Sequence, residues 1–247
     1  MSAPALEVVN VSQRFGTFQA LSAVSLAFEE GKLCAVIGPN GAGKSTFFDI
    51  VSGARTPSAG RVRLHGKDLT GMPQHEFARH GIAKSFQITN IFKRLSAHEN
   101  VRVAAQMRHA RYQLLRDRAQ MRSVIEAADA LLARVGLAAA RDRIAGDLAH
   151  GQQRALEVAM ALACDPRLLL MDEPTAGMSP EETSVMMNLI VTLAKERTVI
   201  LVEHKMKLVM GICERLVVLH HGEVLAEGSP EAIRTNPEVR RVYLGGK

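Results

Sequence analysis

The hydrophobic residues of this chain follow two patterns, and each predicts a different kind of strand. Leu6-Glu7-Val8-Val9-Asn10-Val11, Val24-Ser25-Leu26-Ala27-Phe28 and Gly60-Arg61-Val62-Arg63-Leu64-His65 alternate apolar and polar residues, as half-buried antiparallel strands do. Lys32-Leu33-Cys34-Ala35-Val36-Ile37, Arg167 to Met171 and Thr198 to Val202 are short, almost wholly apolar runs, which fit parallel strands covered on both faces. Leu216-Val217-Val218-Leu219 and Glu223-Val224-Leu225-Ala226 flank His220-His221-Gly222 and predict a hairpin with the histidines in its turn. Between these strands, an Ala- and Arg-rich stretch from about His98 to Leu137 has helical periodicity and few strand signals. A short helix and a tail ending Val242-Tyr243-Leu244-Gly245 close the chain. The alternation of strands and helices predicts an α/β fold, with a mainly parallel sheet, a small antiparallel β layer and an inserted helical subdomain.

Composition narrows this picture only slightly. At 247 residues, and with neither an internal repeat nor a low-complexity linker, the chain is expected to be a single domain, 1–247, with the helical subdomain at about 88–165. No apolar run approaches the ~18–20 residues that span a bilayer. The start, Met1-Ser2-Ala3-Pro4-Ala5-Leu6, has no basic and no apolar leader region, so no signal peptide is expected. Cys34, Cys164 and Cys213 are scattered without metal-ligand spacing; Cys34 and Cys164 sit in apolar sequence and are expected to be packed thiols in a reducing compartment. The net charge of +6 admits an acidic partner. Six arginines lie between Arg102 and Arg122 (Arg102, Arg108, Arg111, Arg116, Arg118, Arg122). They form either a solvated helical face or a surface for lipid head groups or RNA, and charge alone does not choose.

The chemistry is concentrated after the first buried strand. Gly38-Pro39-Asn40-Gly41-Ala42-Gly43-Lys44-Ser45-Thr46 has the spacing G-x-x-x-x-G-K-S of a phosphate-binding loop. Gly38, Gly41 and Gly43 let successive N–H groups converge on phosphate oxygens. A helix beginning near Lys44 aims its positive end at the same anion. Lys44 is suited to neutralise the β- and γ-phosphates, and Ser45 offers a hydroxyl to Mg²⁺. Leu168-Leu169-Leu170-Met171-Asp172-Glu173 ends a strand in two carboxylates, at the sheet edge where α/β proteins bind ligands. Asp172 would reach the Mg²⁺ shell, and Glu173 would orient and deprotonate an attacking water.

Leu148-Ala149-His150-Gly151-Gln152 opens a helix just upstream of that strand. Together with the two earlier motifs it resembles the ATP-binding cassette (ABC) family, whose signature reads L-S-G-G-Q; Leu148, Gly151 and Gln152 match, while Ala149 and His150 depart. The resemblance runs along essentially the whole chain, because the remaining motifs of the family follow in order. It implies that Phe15 stacks on adenine, that Gln87 ligates Mg²⁺ or the attacking water on a hinge, that Ala176-Gly177-Met178-Ser179-Pro180 is the D-loop, and that His204 is the switch histidine beside the γ-phosphate. It also implies a P-loop ATPase core working as a pair, each ATP lying between one subunit's phosphate loop and the other's signature residues 148–152. The departures have consequences. Ala149 has no hydroxyl for the γ-phosphate, leaving the helix end and the Gly151 N–H; His150 is a candidate substitute donor. Ser179 stands where many members carry Asp, and Lys205 where the nearest group usually has Asp.

Asp172 to Thr183, Gly81 to Gln87 and Tyr243-Leu244-Gly245 are similar to the ATPases of branched-chain (hydrophobic) amino acid importers, and the histidine in the signature is shared with urea and amide importers. This resemblance implies ATP and Mg²⁺ as cofactors and a second ATPase subunit, self or paralogue. It further implies permease subunits in the membrane, indirectly a periplasmic or extracellular solute-binding protein, and a peripheral place on the cytoplasmic face of the inner membrane. A non-transport ABC ATPase acting on nucleic acid or the ribosome is the competing class. Such proteins usually carry a coiled-coil insertion or two cassettes, and neither is present, so no nucleic-acid partner is expected.

Overall fold

In the computed structural model, residues 4–85, 91–109 and 118–244 are described. They form two compact units: Met1–Ile82 with Arg167–Glu173 and Ile190–Lys247, and Ala83–Pro166 with Pro174–Leu189. The second begins before the helical stretch expected at about 88–165 and takes in the segment after Glu173 as well.

The first unit holds two sheets. Strands β1 (Leu6–Phe15), β2 (Phe18–Phe28), β4 (Ala59–Leu64) and β5 (Lys67–Asp68) make an antiparallel sheet in the order β2-β1-β4-β5. The other sheet joins β3 (Leu33–Ile37), β7 (Leu168–Asp172), β8 (Thr198–Val202), β9 (Arg215–His220) and β10 (Glu223–Gly228) in the order β10-β9-β3-β8-β7, while β6 (Ile82–Ser85) begins at the last residue of this unit's first segment and runs on into the second unit. β9, β3, β8 and β7 run parallel, and β10 returns antiparallel to β9 as the expected hairpin. Every residue of β3, β7 and β8 is buried, which is why those runs carry no polar alternation. The first two strands are longer than their pattern suggests. Register shifts between Val8 and Arg14, with Asn10 and Ala23 at positive φ, move side chains from one face to the other and hide the period of two.

Helix α1 (Lys44–Val51) buries Phe47, Phe48, Ile50 and Val51 in this unit. The rings of Phe28, Phe47 and Phe48 lie 6.2 and 6.3 Å apart in succession, each burying area worth about 1.5–3 kcal/mol. The same unit contains α2 (Gln74–Arg79), α7 (Met206–Met210), α8 (Pro230–Thr235) and α9 (Pro237–Leu244).

The second unit is built from α3 (Ala97–His109), α4 (Arg118–Arg134), α5 (His150–Leu162) and the part of α6 (Pro180–Ala194) up to Leu189. Val101, Ala105, Val124, Ala128, Leu132, Leu156 and Ala159 form its interior. Within it Arg154 and Glu157 are a buried ion pair at 2.9 Å. Buried Asn100 fixes the entry to α3, accepting from the Phe92 N–H and donating to the carbonyls of Phe92 and Ser96. Of the basic stretch, Arg102 pairs with Glu99 and Arg122 with Glu126; the side chains of Arg108, Arg111, Arg116 and Arg118 lie outside the described residues. No described helix is long and apolar enough to cross a membrane.

The cysteine reading needs one correction. Cys34 is buried as expected, and burial pushes its thiol up to about 11. Cys164, however, is exposed: it sits past the C-cap Ala163, in the turn that ends α5, where the apolar sequence no longer faces the interior.

Candidate functional site

The phosphate loop forms where β3 hands over to α1. Gly43 caps α1 at φ 99°, a conformation that side chains rarely adopt; a β-carbon there would also lie 2.7 Å from the Ala20 carbonyl oxygen. Gly38 is required for a different reason. Its backbone is not left-handed, but a β-carbon would lie 2.3 Å from the Leu219 carbonyl oxygen. Lys44 is buried, and its Nζ donates to the carbonyls of Gly38 (2.8 Å) and Pro39 (2.9 Å), closing the loop on itself. Burial pulls its ammonium below the ordinary value, while Glu173 and Asp172 push it back up. Both carboxylates therefore act on the lysine of the loop, as their position at the end of β7 suggested. Ser45, Asn40 and Gly41 are exposed, Thr46 is half-buried and Ala42 is buried.

Asp172 is buried and pairs in register with Val202 at the end of β8. Glu173 leaves the sheet at φ 47°, with its N–H donating to the Val202 carbonyl (2.9 Å). That left-handed step, strained for a non-glycine residue by about 1–3 kcal/mol, turns the carboxylate off the strand axis. His204, just past β8, brings Nδ1 to 3.7 Å from the Glu173 carboxylate, an electrostatic neighbour rather than a hydrogen bond. Phe15 stands at the tip of the β1–β2 hairpin, 42% exposed, with the Arg55 guanidinium 4.7 Å above its ring in a cation–π contact. Gln87 lies outside the described residues.

In the second unit Leu148 is buried and Ala149 is the N-cap of α5, with no side chain able to cap it. Gln152 supplies only the other half of a capping box, its side-chain oxygen accepting from the Ala149 N–H (3.2 Å). The Gly151 N–H, expected to face an anion, donates instead to Glu182 Oε1 (3.1 Å). Exposed His150 packs on the D-loop, where a β-carbon on Gly177 would lie 3.3 Å from His150 Cε1. Lys205 is the N-cap of α7, without a side-chain cap bond.

Two contributors were not visible in the motifs. The β9–β10 turn, predicted only as a turn, props the phosphate loop: the Gly222 N–H donates to the Ala42 carbonyl (3.1 Å), and the Gly222 carbonyl accepts from the Ser22 N–H (2.8 Å). Glu182 is the other. The spacing of Ser179 to Glu182 is that of a capping box, a signal in the sequence for its place at the start of α6 but not for its reach to Gly151.

These features agree with the comparisons to known proteins. The ABC transporter family matches residues 21–176, and the branched-chain amino acid ATP-binding cassette transporter family matches residues 223–247. The high-affinity branched-chain amino acid transport ATP-binding protein BraF of Pseudomonas aeruginosa is 43% identical, with 99% of each chain covered. LivG of Escherichia coli, which carries the same description, is 40% identical over 99% of each. Among solved structures, the ADP conformation of MJ1267, an ATP-binding cassette of an ABC transporter, has a TM-score of 0.85 at 27% identity, covering 98% of this chain and 99% of that one. A phosphate loop closed by its own lysine, two carboxylates at the end of β7 and a family match over most of the chain lead to one assignment: this chain belongs to the ABC transporter family and is one of its ATP-hydrolysing cassettes.

Proposed function

We propose that this chain powers an importer of branched-chain amino acids, bound peripherally to its permease subunits at the cytoplasmic face of the inner membrane. The observation that carries the proposal is the convergence of Lys44, Asp172, Glu173 and His204 in one unit of a chain that aligns end to end with BraF. The family match at residues 223–247 supports the choice of cargo.

In this reading the loop amides and Lys44 hold the β- and γ-phosphates of ATP, and Phe15 supports the adenine. Ser45 and Asp172 are hard oxygen donors suited to Mg²⁺. Among the described residues no cluster of three or more His, Cys, Asp or Glu is placed to hold a metal alone. The resemblance adds Gln87 as a third donor to such an ion, with phosphate and water completing its shell. When bound, it supplies charge neutralisation between the phosphates. Glu173 orients a water and accepts its proton as the hydroxyl attacks the γ-phosphorus and the bond to the β-phosphate oxygen breaks, giving ADP and phosphate. His204 holds the γ-phosphate side of that arrangement. A second subunit, this chain or a paralogue, closes over the nucleotide with residues 148–152, and Gln87 passes the closure to the permease. ATP drives the cycle only through its greater affinity for the closed state.

Glu173→Gln is expected to bind ATP and to lose roughly 10²–10⁴-fold in turnover; near-normal turnover would remove Glu173 from the base role. The cargo is tested by purifying the intact complex and titrating its solute-binding protein. Binding of leucine, isoleucine or valine agrees with the proposal, while binding of urea or a short amide alone replaces it.

A further inference from the structure

The carboxylate of Glu182 is shared between two helix N-termini. Oε2 accepts from the Ser179 N–H (3.0 Å), while the Ser179 hydroxyl oxygen accepts from the Glu182 N–H (3.2 Å). This is a capping box that starts α6. Oε1 reaches across to the Gly151 N–H at the start of α5 (3.1 Å). The approach is close enough to dictate the sequence: a β-carbon on Gly151 would lie 2.6 Å from Oε1 and 2.9 Å from the carboxyl carbon. One half-buried carboxylate therefore ties the signature residues to the D-loop and satisfies one of the free donors of α5. The His150 ring against Gly177 closes the same seam from the other side.

A single N–H makes one straight hydrogen bond. A phosphate oxygen taking the Gly151 N–H must displace Glu182 Oε1, and its charge repels the carboxylate it displaces. Ala149 gives α5 no hydroxyl to offer a phosphate in place of that N–H. We propose that Glu182 is a resident competitor for the terminal phosphate of the nucleotide carried by the second subunit. It raises the ATP concentration needed for closure, and its release on closure frees the start of α6 and so reports the occupied site to the D-loop. Glu182 is thus a positioning residue, acting through Gly151 and Ser179. The inference rests on the closed-pair reading above.

The test uses the full chain carrying Glu173→Gln, so that bound ATP persists, and measures its ATP-dependent association by sedimentation velocity. Adding Glu182→Gln removes the charge and keeps one acceptor oxygen, enough for the Gly151 N–H or the Ser179 N–H but not for both. The half-maximal ATP concentration for association is expected to fall by about three- to tenfold. With Glu173 intact, Glu182→Gln should lower KM for ATP by a similar factor. Glu182→Ala is expected to shift association in the same direction while lowering Tm through loss of the capping box. A carboxylate that merely stabilised α6 would move association the opposite way or leave it alone. Unchanged or weakened association in Glu182→Gln overturns the inference by itself. If the Glu173→Gln parent associates with ATP neither with itself nor with the second ATPase subunit of the purified complex, the closed-pair reading fails and the inference fails with it.

Discussion

Two helices of this protein, α1 and α5, begin with the same kind of anion-seeking end, and the chain finishes them differently. At α1 the backbone is shaped by contacts that reach far along the sequence: Gly43 against Ala20, Gly38 against Leu219, and Ala42 bonded to Gly222. Its charged side chain, Lys44, is turned onto the loop's own carbonyls. At α5 the N–H of Gly151 is given to a carboxylate from the same unit. The first end is held rigid by its surroundings and is ready for a phosphate. The second is satisfied internally, and a phosphate must compete for it. A built site and a gated site thus arise from one physical element, a helix N-terminus, according to what the rest of the fold places beside it.

The sharpest way to break this contrast is at Lys44. Lys44→Ala removes a buried cation whose pKa records both burial and the two carboxylates. Losing a desolvated charge partner of phosphate is expected to weaken nucleotide binding on the order of 10²–10³-fold, read by titration with a fluorescent ATP analogue. If the Gly151 N–H were as free for a phosphate as the α1 end, Glu182→Gln would leave nucleotide affinity unchanged while Lys44→Ala still weakened it. The expected effects differ in both size and sign.

Which parts of this were legible in the sequence follows from how far apart the contributing residues lie. The phosphate loop and the Asp172-Glu173 pair are each contiguous, so their spacing alone located them. β3, β7 and β8 announced themselves because burial on both faces removes polar residues altogether. β1 did not show its full length, since its bulges shift the alternation from Val8 onward. Three contacts had no local signal: Leu219 against Gly38, Gly222 on Ala42, and Glu182 on Gly151 join residues far apart in the chain. Gly38 illustrates the gap well. The motif assigned it to a tight turn, whereas its need for glycine comes from a neighbouring strand. Cys164 failed for the opposite reason, because apolar neighbours in sequence did not place it inside.

A smaller effect separates the prop from the loop it supports. Gly222 has φ 79°, and a β-carbon there would lie 2.5 Å from the Ala20 carbonyl oxygen. Gly222→Ala is expected to cost about 2–4 kcal/mol, on the order of 5–10 °C in Tm. Nucleotide affinity should fall as well, because Ala42 loses its partner. Gly66→Ala is the matched control: it has φ 77° with nothing within 4 Å of the added carbon, so only about 1 kcal/mol of backbone strain is expected and no loss of nucleotide affinity. Equal effects of the two substitutions in both assays would mean that the β9–β10 turn does not support the loop.

The smallest expected effect lies at the gated end. The signature departs from its usual residues at Ala149 and His150, and the sequence invites the idea that the imidazole replaces the missing serine hydroxyl as a donor to phosphate. The geometry favours a different job, because the exposed ring lies on the Gly177 backbone. Removing such a surface contact is worth about 0.5 kcal/mol, roughly a factor of two in any equilibrium it biases. His150→Ala is therefore expected to change turnover less than about threefold. His150→Gly should do somewhat worse in Tm, since glycine within the first turn weakens a helix by about 0.5–1 kcal/mol relative to alanine. A fall of tenfold or more in turnover for both variants, with Tm and monomer nucleotide affinity unchanged, would put the imidazole on the phosphate after all. In that case the D-loop seam would rest on Glu182 alone, and the double variant His150→Ala with Glu182→Gln would show the two side chains acting on the same phosphate in opposite directions.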